Sequence, residues 1–223
     1  MSSRLLILLA AVLPAVALEG QAPSLPPDIN PVTLSRLPPV NRNDLDAEGQ
    51  RIFDARANNT PGPGPGHISI YSPKVAEAQG MLGRYLGVPR GDQSPMGGRL
   101  YQLVVLITAR EIDQQYEWSA HEPAGLRAGL EQSVIDIVKF DKDVTGLAEK
   151  DATVIRFFRG LFREHKVSSD LWAKMVEHFG RKGTIDMMAL MSSYFTVGMI
   201  MNAVDQHLPP ERQPLMPALT RGR

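Results

Sequence analysis

Met187 to Val204 is a run of eighteen residues without a charge, and five of them are methionine. A helix made from such a run is apolar nearly all round. It must lie at the centre of a bundle, press against another subunit, or cross a membrane. Ser192, Ser193, Thr196 and Asn202 interrupt the apolar character, which favours protein surroundings over lipid. Methionine at this density suits packing better than metal binding. The expectation is a central bundle helix, with no membrane partner after N-terminal processing.

The rest of the chain is punctuated as helices. Asp44 to Ala57 has helical patterning and is broken by the turn formers of Asn58 to Gly66. Ser72-Pro73 and Ser94-Pro95 each set a capping hydroxyl before a proline suited to a first helical turn, so helices are expected to begin at Pro73 and Pro95. The second should run to about Ile112. A further helix carries Glu117 and His121, is expected to bend near Pro123, and has Gly129 as its C-terminal cap. Helical patterns then occupy Glu131 to Phe140, Glu149 to His165, Ser169 to Phe179 with Gly180 as a stop, and Thr184 to Gln206. No strand alternation appears, so the fold class is all-α.

At the N-terminus Arg4 precedes an apolar run from Leu5 to Leu13, followed by Ala15-Val16-Ala17. That order reads as a secretory signal peptide cleaved after Ala17, which implies a periplasmic or secreted protein. Residues 18–42, rich in proline, read as an extended arm on the surface or on a neighbouring subunit. Residues 43–208 form the helical domain and 209–223 an irregular tail. The chain has no cysteine. Disulfides, thiol chemistry and thiolate metal sites are therefore excluded, and stability must come from burial. Lys plus Arg and Asp plus Glu balance at 24 each. With no polybasic stripe among aromatics, nucleic acid is not an expected partner.

Glu111 to Pro123, E-I-D-Q-Q-Y-E-W-S-A-H-E-P, concentrates the chemistry. Glu117 and His121 stand four positions apart, on one helix face about a turn apart, which suits a proton-transfer pair. An ordinary solvated charge pair has the same spacing. The apolar run Leu100 to Ile107 and the rings of Tyr116 and Trp118 favour a buried setting. His165 sits at a helix end, where a capping role is expected. His178 and His207 are isolated in sequence. A metal site on Glu117 and His121 lacks a third ligand in sequence, so no metal is expected.

The stretch Gln115 to Leu130, Q-Y-E-W-S-A-H-E-P-A-G-L-R-A-G-L, resembles the signature of the carboxymuconolactone decarboxylase-like family, related to alkylhydroperoxidase D. The likeness extends less sharply through Arg99 to Arg110 and Ile135 to Leu208. It implies an alkylhydroperoxidase D-like helical bundle that assembles as a homo-oligomer with active sites near subunit contacts. It implies no cofactor for the decarboxylase branch. The peroxidase branch carries Glu, then two cysteines separated by two residues, then His. Counted back from His121, those cysteines fall on Gln114 and Glu117, and the acid falls on Gln102.

Without thiols, a peroxide-reducing disulfide relay is excluded. The expected activity is therefore a cofactor-independent carboxy-lyase, or a related lactone-processing enzyme, acting on a small aromatic-derived lactone acid. His121 would deliver a proton and Glu117 would hold its ring. Trp118 would exclude water, while Gln102 or Gln114 would donate to a lactone carbonyl. A carboxylate substrate needs a cation, for which Arg99, Arg110 and Arg84 are candidates, and Tyr71 is placed to reach the pocket. The competing expectation is a non-catalytic exported helical oligomer that binds a small ligand or scaffolds a partner.

Overall fold

The computed structural model describes residues 25–56, 59–88, 91 and 93–218. The expected signal peptide at 1–17 lies outside them, as do residues 18–24 of the arm and the last five residues of the tail. Among the described residues the elements are helical: a 3-10 turn Arg42–Asp44, then α1 (Ala47–Asp54), α2 (Pro65–Ser69), α3 (Pro73–Leu86) and α4 (Gly98–Glu111), followed by α5 (Gln115–Arg127), α6 (Gln132–Lys139), α7 (Glu149–Glu164) and α8 (Ser169–Ala203). The one strand-like feature among them is an isolated bridge between Asn30 and Ser35.

The centre of the bundle is α4, whose residues from Tyr101 to Arg110 are all buried. It packs against α5, α6, α7 and α8. A helix wrapped on every side must be apolar along most of its length, which explains the run Leu103 to Ile107. Its start differs from expectation. Pro95 and Met96 form a turn, and α4 begins at Gly98 after Gly97, whose φ of 79° reverses the chain. Ser94 instead uses its hydroxyl as an acceptor for the Met96 amide.

Gln114 caps α5, accepting the Tyr116 amide on Oε1 at 2.7 Å while its Nε2 donates to Asn202 at 2.8 Å. The other end of α5 closes as expected. Leu130 N donates to Gly125 O at 2.9 Å and Gly129 N to Leu126 O at 3.1 Å, with Gly129 at φ 83°. This pair of bonds satisfies carbonyls that the last turn leaves unpaired.

Gly180 adopts φ 69° and ψ 168°, which is not helical, so it stops its helix as expected, and α8 is two helices that meet at this residue. Beyond the break, Met187, Leu190, Met191, Tyr194 and Met201 are buried, whereas Ile185, Phe195, Met199 and Ile200 are exposed. The uncharged run is therefore a core helix on one face only. By length and composition alone α8 could also cross a membrane, although it packs against α4 and α7.

The described part of the arm lies on its own chain. Arg36 N donates to Val204 O at 2.8 Å and Arg36 Nη1 to Ala203 O at 3.0 Å, which satisfies carbonyls at the end of α8. Ile29, Thr33 and Ser35 are buried there. The C-terminal tail crosses α5, with Leu215 N donating to the Ser119 hydroxyl at 3.3 Å.

Candidate proton-transfer site

Glu117 and His121 lie on the face of α5 that meets α4 and α8. His121 Nε2 stands 3.3 Å from Glu117 Oε2. On the other side of the ring, Nδ1 is 2.8 Å from Gln102 Oε1 on α4. A carbonyl oxygen can only accept, so Nδ1 carries a proton and Nε2 faces the carboxylate. Both ring nitrogens are thus engaged, and Glu117 Oε1 makes no hydrogen bond to another described residue.

Two tyrosines complete the cluster, and neither was a candidate from sequence. Tyr101, next to Gln102 on α4, and Tyr194 on α8 share a hydrogen bond between their hydroxyls at 2.6 Å. The Tyr194 ring meets the His121 ring edge-on, with centroids 5.1 Å apart. Burial is the main force raising the pKa of both phenols, and the charge of Glu117 adds to it in each. Both are therefore neutral over the physiological range. The only sequence signal was a tyrosine near the start of the apolar run 100–107 and another midway along 187–204, which reads equally as packing.

The side chains of Glu117 and His121 each keep 7% of their surface exposed. Tyr194 keeps 6% as a residue, whereas Tyr101 and Gln102 keep 0% and 1%. All five groups are therefore nearly sealed from solvent. Two surface pockets lie elsewhere. One of about 470 Å³ is lined by Met96, Arg99, Leu100, Lys150, Asp151 and Phe179. The other, of about 370 Å³, lies between α7 and the start of α8 and is lined by Arg156, Arg159, Arg163 and Lys166.

The remaining candidates are placed away from the pair. Trp118 is turned into the core, where its Nε1–H donates to Glu122 at 2.5 Å while Lys139 holds the other Glu122 oxygen at 2.8 Å. Gln114 is committed to capping α5. Arg99 grips Asp151 through two hydrogen bonds of 2.9 and 2.7 Å and also holds Glu131. Arg110 is buried at the end of α4, bonded to Asp113 and to Pro217 O. Arg84 is exposed on α3. Tyr71 donates to Pro38 O at 2.5 Å and packs against His67. Four of these are explained by structural partners that single-residue reasoning could not foresee: an acid for Arg99 and Arg110, the helix end for Gln114, and the arm for Tyr71. His165 is the C-cap residue of α7 in a left-handed conformation, as its position implied. Among the described residues no three His, Asp or Glu side chains converge as a metal set would.

This arrangement of helices defines the class: an all-α chain with the alkylhydroperoxidase D-like fold. One similar solved structure is the core of an alkylhydroperoxidase AhpD, an uncharacterized peroxidase-related protein from Ralstonia eutropha JMP134. It superposes with a TM-score of 0.61 at 15% identity, over 79% of this chain and 93% of that one. No family model matches the sequence, and no curated protein matches it.

Proposed function

We propose that the chain is a cofactor-independent enzyme that transfers a proton on a small lactone acid, a carboxymuconolactone decarboxylase-like lyase and not a peroxidase. One observation carries this reading: a carboxylate and an imidazole, both nearly buried, stand 3.3 Å apart while a third side chain fixes the ring. In this reading the two members of the pair exchange roles. Both imidazole nitrogens are occupied, so Glu117 Oε1 is the atom that meets the substrate, and His121 supplies and recovers the proton behind it. Gln102 is the positioning residue that holds Nδ1–H.

In decarboxylation, the bond from the ring carbon to the carboxylate breaks and its electron pair moves toward the lactone carbonyl as carbon dioxide leaves. A proton then passes from His121 through the Glu117 carboxyl, taken up at Oε2 and released from Oε1 to that carbon, and the pair regains one from water. Proton transfer of this kind contributes about a hundred- to ten-thousandfold.

The expected export through residues 1–17 and assembly into a homo-oligomer belong to the same reading. The exposed Ile185, Phe195, Met199 and Ile200 of α8 support assembly, because such a face is costly to leave in water. A second reading, a non-catalytic helical oligomer, draws on the same face and on the location of both surface pockets away from Glu117. Lactone acids screened for carbon dioxide release separate the two. Glu117→Gln and His121→Ala should each lower turnover at least a hundredfold. Equal turnover in the three proteins would remove the pair from the chemistry.

A further inference from the structure

α7 ends at His165, whose left-handed φ of 56° turns the chain, and the first helix of α8 begins behind its cap, Ser168. The loop between them returns against α7 because Gly160 carries no side chain there. A Cβ at Gly160 would stand 3.3 Å from Lys166 O and 3.8 Å from Val167 Cγ1. This fold-back shapes the cavity of about 370 Å³ between α7 and α8. Arg156, Arg159 and Arg163, spaced by three and four residues, line it as one stripe of α7, and Lys166 joins them from the loop. Against these four cations, Glu164 is the one acid of the lining.

The fold accounts for only part of this charge. Arg159 donates to Lys142 O at 2.8 Å and to Ile137 O at 2.9 Å and stands 3.1 Å from Asp141, so it ties the loop after α6 to α7. Arg163 holds Glu111 and Asp141 through Nε and Nη2, which leaves its Nη1–H groups for a further acceptor. The side chains of Arg156 and Lys166 form no salt bridge or hydrogen bond to a described residue, and only the more distant charges of Asp143 and Glu149 act on Arg156. A cation in the last turn of a helix is favoured by the helix dipole, which explains Arg163 and Lys166. It does not explain Arg156, about two turns before that end.

We propose that this cavity binds a small phosphate monoester, held by Arg156, Arg163 and Lys166. Its volume falls within the range of about 300–1,000 Å³ usual for small-ligand sites. A single carboxylate brings one charge and two acceptor oxygens, too few for the cations assembled here. A phosphate monoester brings nearly two charges and three strong acceptor oxygens on one centre, which suits guanidinium forks arriving from a helix and an ammonium arriving from a loop. The fold already holds Arg163 in place, so little order is lost there on binding. The ester group would rest on Val167 and Leu171, the apolar side of the lining. The Ser168 hydroxyl, whose oxygen accepts the Leu171 amide at 3.2 Å, keeps its proton to donate. The site stands apart from Glu117 and His121 and does not depend on the proton-transfer reading.

The test titrates phenyl phosphate calorimetrically into the whole protein, beside phthalate, a dicarboxylate of similar size and charge, at one ionic strength. Wild type should bind phenyl phosphate at least tenfold more tightly than phthalate. Arg156→Gln and Lys166→Gln orphan no acid, so their urea midpoints should match wild type while each weakens phenyl phosphate about three- to tenfold. The double variant should weaken it about ten- to hundredfold, and Lys166→Gln, which lies in the loop, keeps the test decisive if Arg156→Gln folds poorly. Arg127→Gln removes an exposed cation of α5 outside the cavity and should leave the affinity unchanged. No binding by wild type, phthalate bound as tightly as phenyl phosphate, full affinity in the double variant, or an equal loss in Arg127→Gln would each overturn the assignment. The last of these would mark attraction to surface charge at large and not to this cavity.

Discussion

Gly91→Ala tests whether the loop before α4 holds Tyr101 in place. Gly91 has φ 76°, and a Cβ there would stand 2.4 Å from Tyr101 Cδ1, 2.6 Å from Cγ and 3.1 Å from Cβ. Ordinary contacts between carbons lie near 3.5–4.0 Å, so the overlap is about 1 Å at two ring atoms. The root of the ring cannot swing aside as the tip of a flexible side chain would. Tyr101 is also fully buried, and its hydroxyl is tied to Tyr194. A left-handed alanine costs about 1–2 kcal/mol through its own Cβ. Forcing extra volume against a packed ring adds about 1–3 kcal/mol. Gly129→Ala is the control, since Gly129 has φ 83° and its Cβ would meet nothing within 4 Å. Urea unfolding should therefore show a loss of about 2–5 kcal/mol for Gly91→Ala and about 1–2 kcal/mol for Gly129→Ala, with unchanged m values. Equal losses in the two variants would refute the argument, because only the neighbouring ring distinguishes the sites.

Trp118→Phe should lower stability by about 2–4 kcal/mol, since it leaves Glu122 without the indole donor and opens space in the core. Turnover per folded molecule should stay near wild type, and a loss of turnover at unchanged urea midpoint would return the indole to the site. The raised phenol pKa values also predict an alkaline limit. The unfolded chain ionises Tyr101 and Tyr194 near the ordinary value of about 10, whereas the folded protein keeps them protonated to higher pH. Above pH of about 10 the unfolded state binds fewer protons, so stability present below that point declines as pH rises. Unfolding measured across that range should decline less steeply in the double variant Tyr101→Phe, Tyr194→Phe, and identical slopes would contradict the prediction.

Much of the helical outline was legible because its signals are local. The proline at position 73, the Gly129 stop, and the amphipathic segments of α6 and α7 each state their element within a few residues. Pro95 misled for an equally local reason: the same Ser-Pro pair that starts a helix also makes a turn, and Gly97 three residues on carries the left-handed conformation from which α4 departs. Gly180 was legible for the same reason, since its non-helical backbone separates the two helices of α8 where the sequence placed a stop. The docking of Arg36 on the end of α8 joins positions 167 residues apart, and no local pattern encodes it.

The site divides along the same line. Glu117 and His121 were readable because one helix turn brings them together, and Gln102 because the family pattern placed a relay group there. Tyr101 and Tyr194 come from helices 93 residues apart, so their contact exists only in the fold. Taken as a group, these five residues weigh against a purely structural role. Each removes a polar group from water at the centre of an otherwise apolar bundle, and burying a hydroxyl or amide without full compensation costs about 1–3 kcal/mol. Apolar side chains of similar volume would fill the space at no such cost, as replacements of buried ionic groups by hydrophobic ones demonstrate. Under the proton-transfer reading proposed above, the cost has a return, because Glu117 and His121 would relay a proton while Gln102 holds the ring, whereas a scaffold would carry the same cost for nothing.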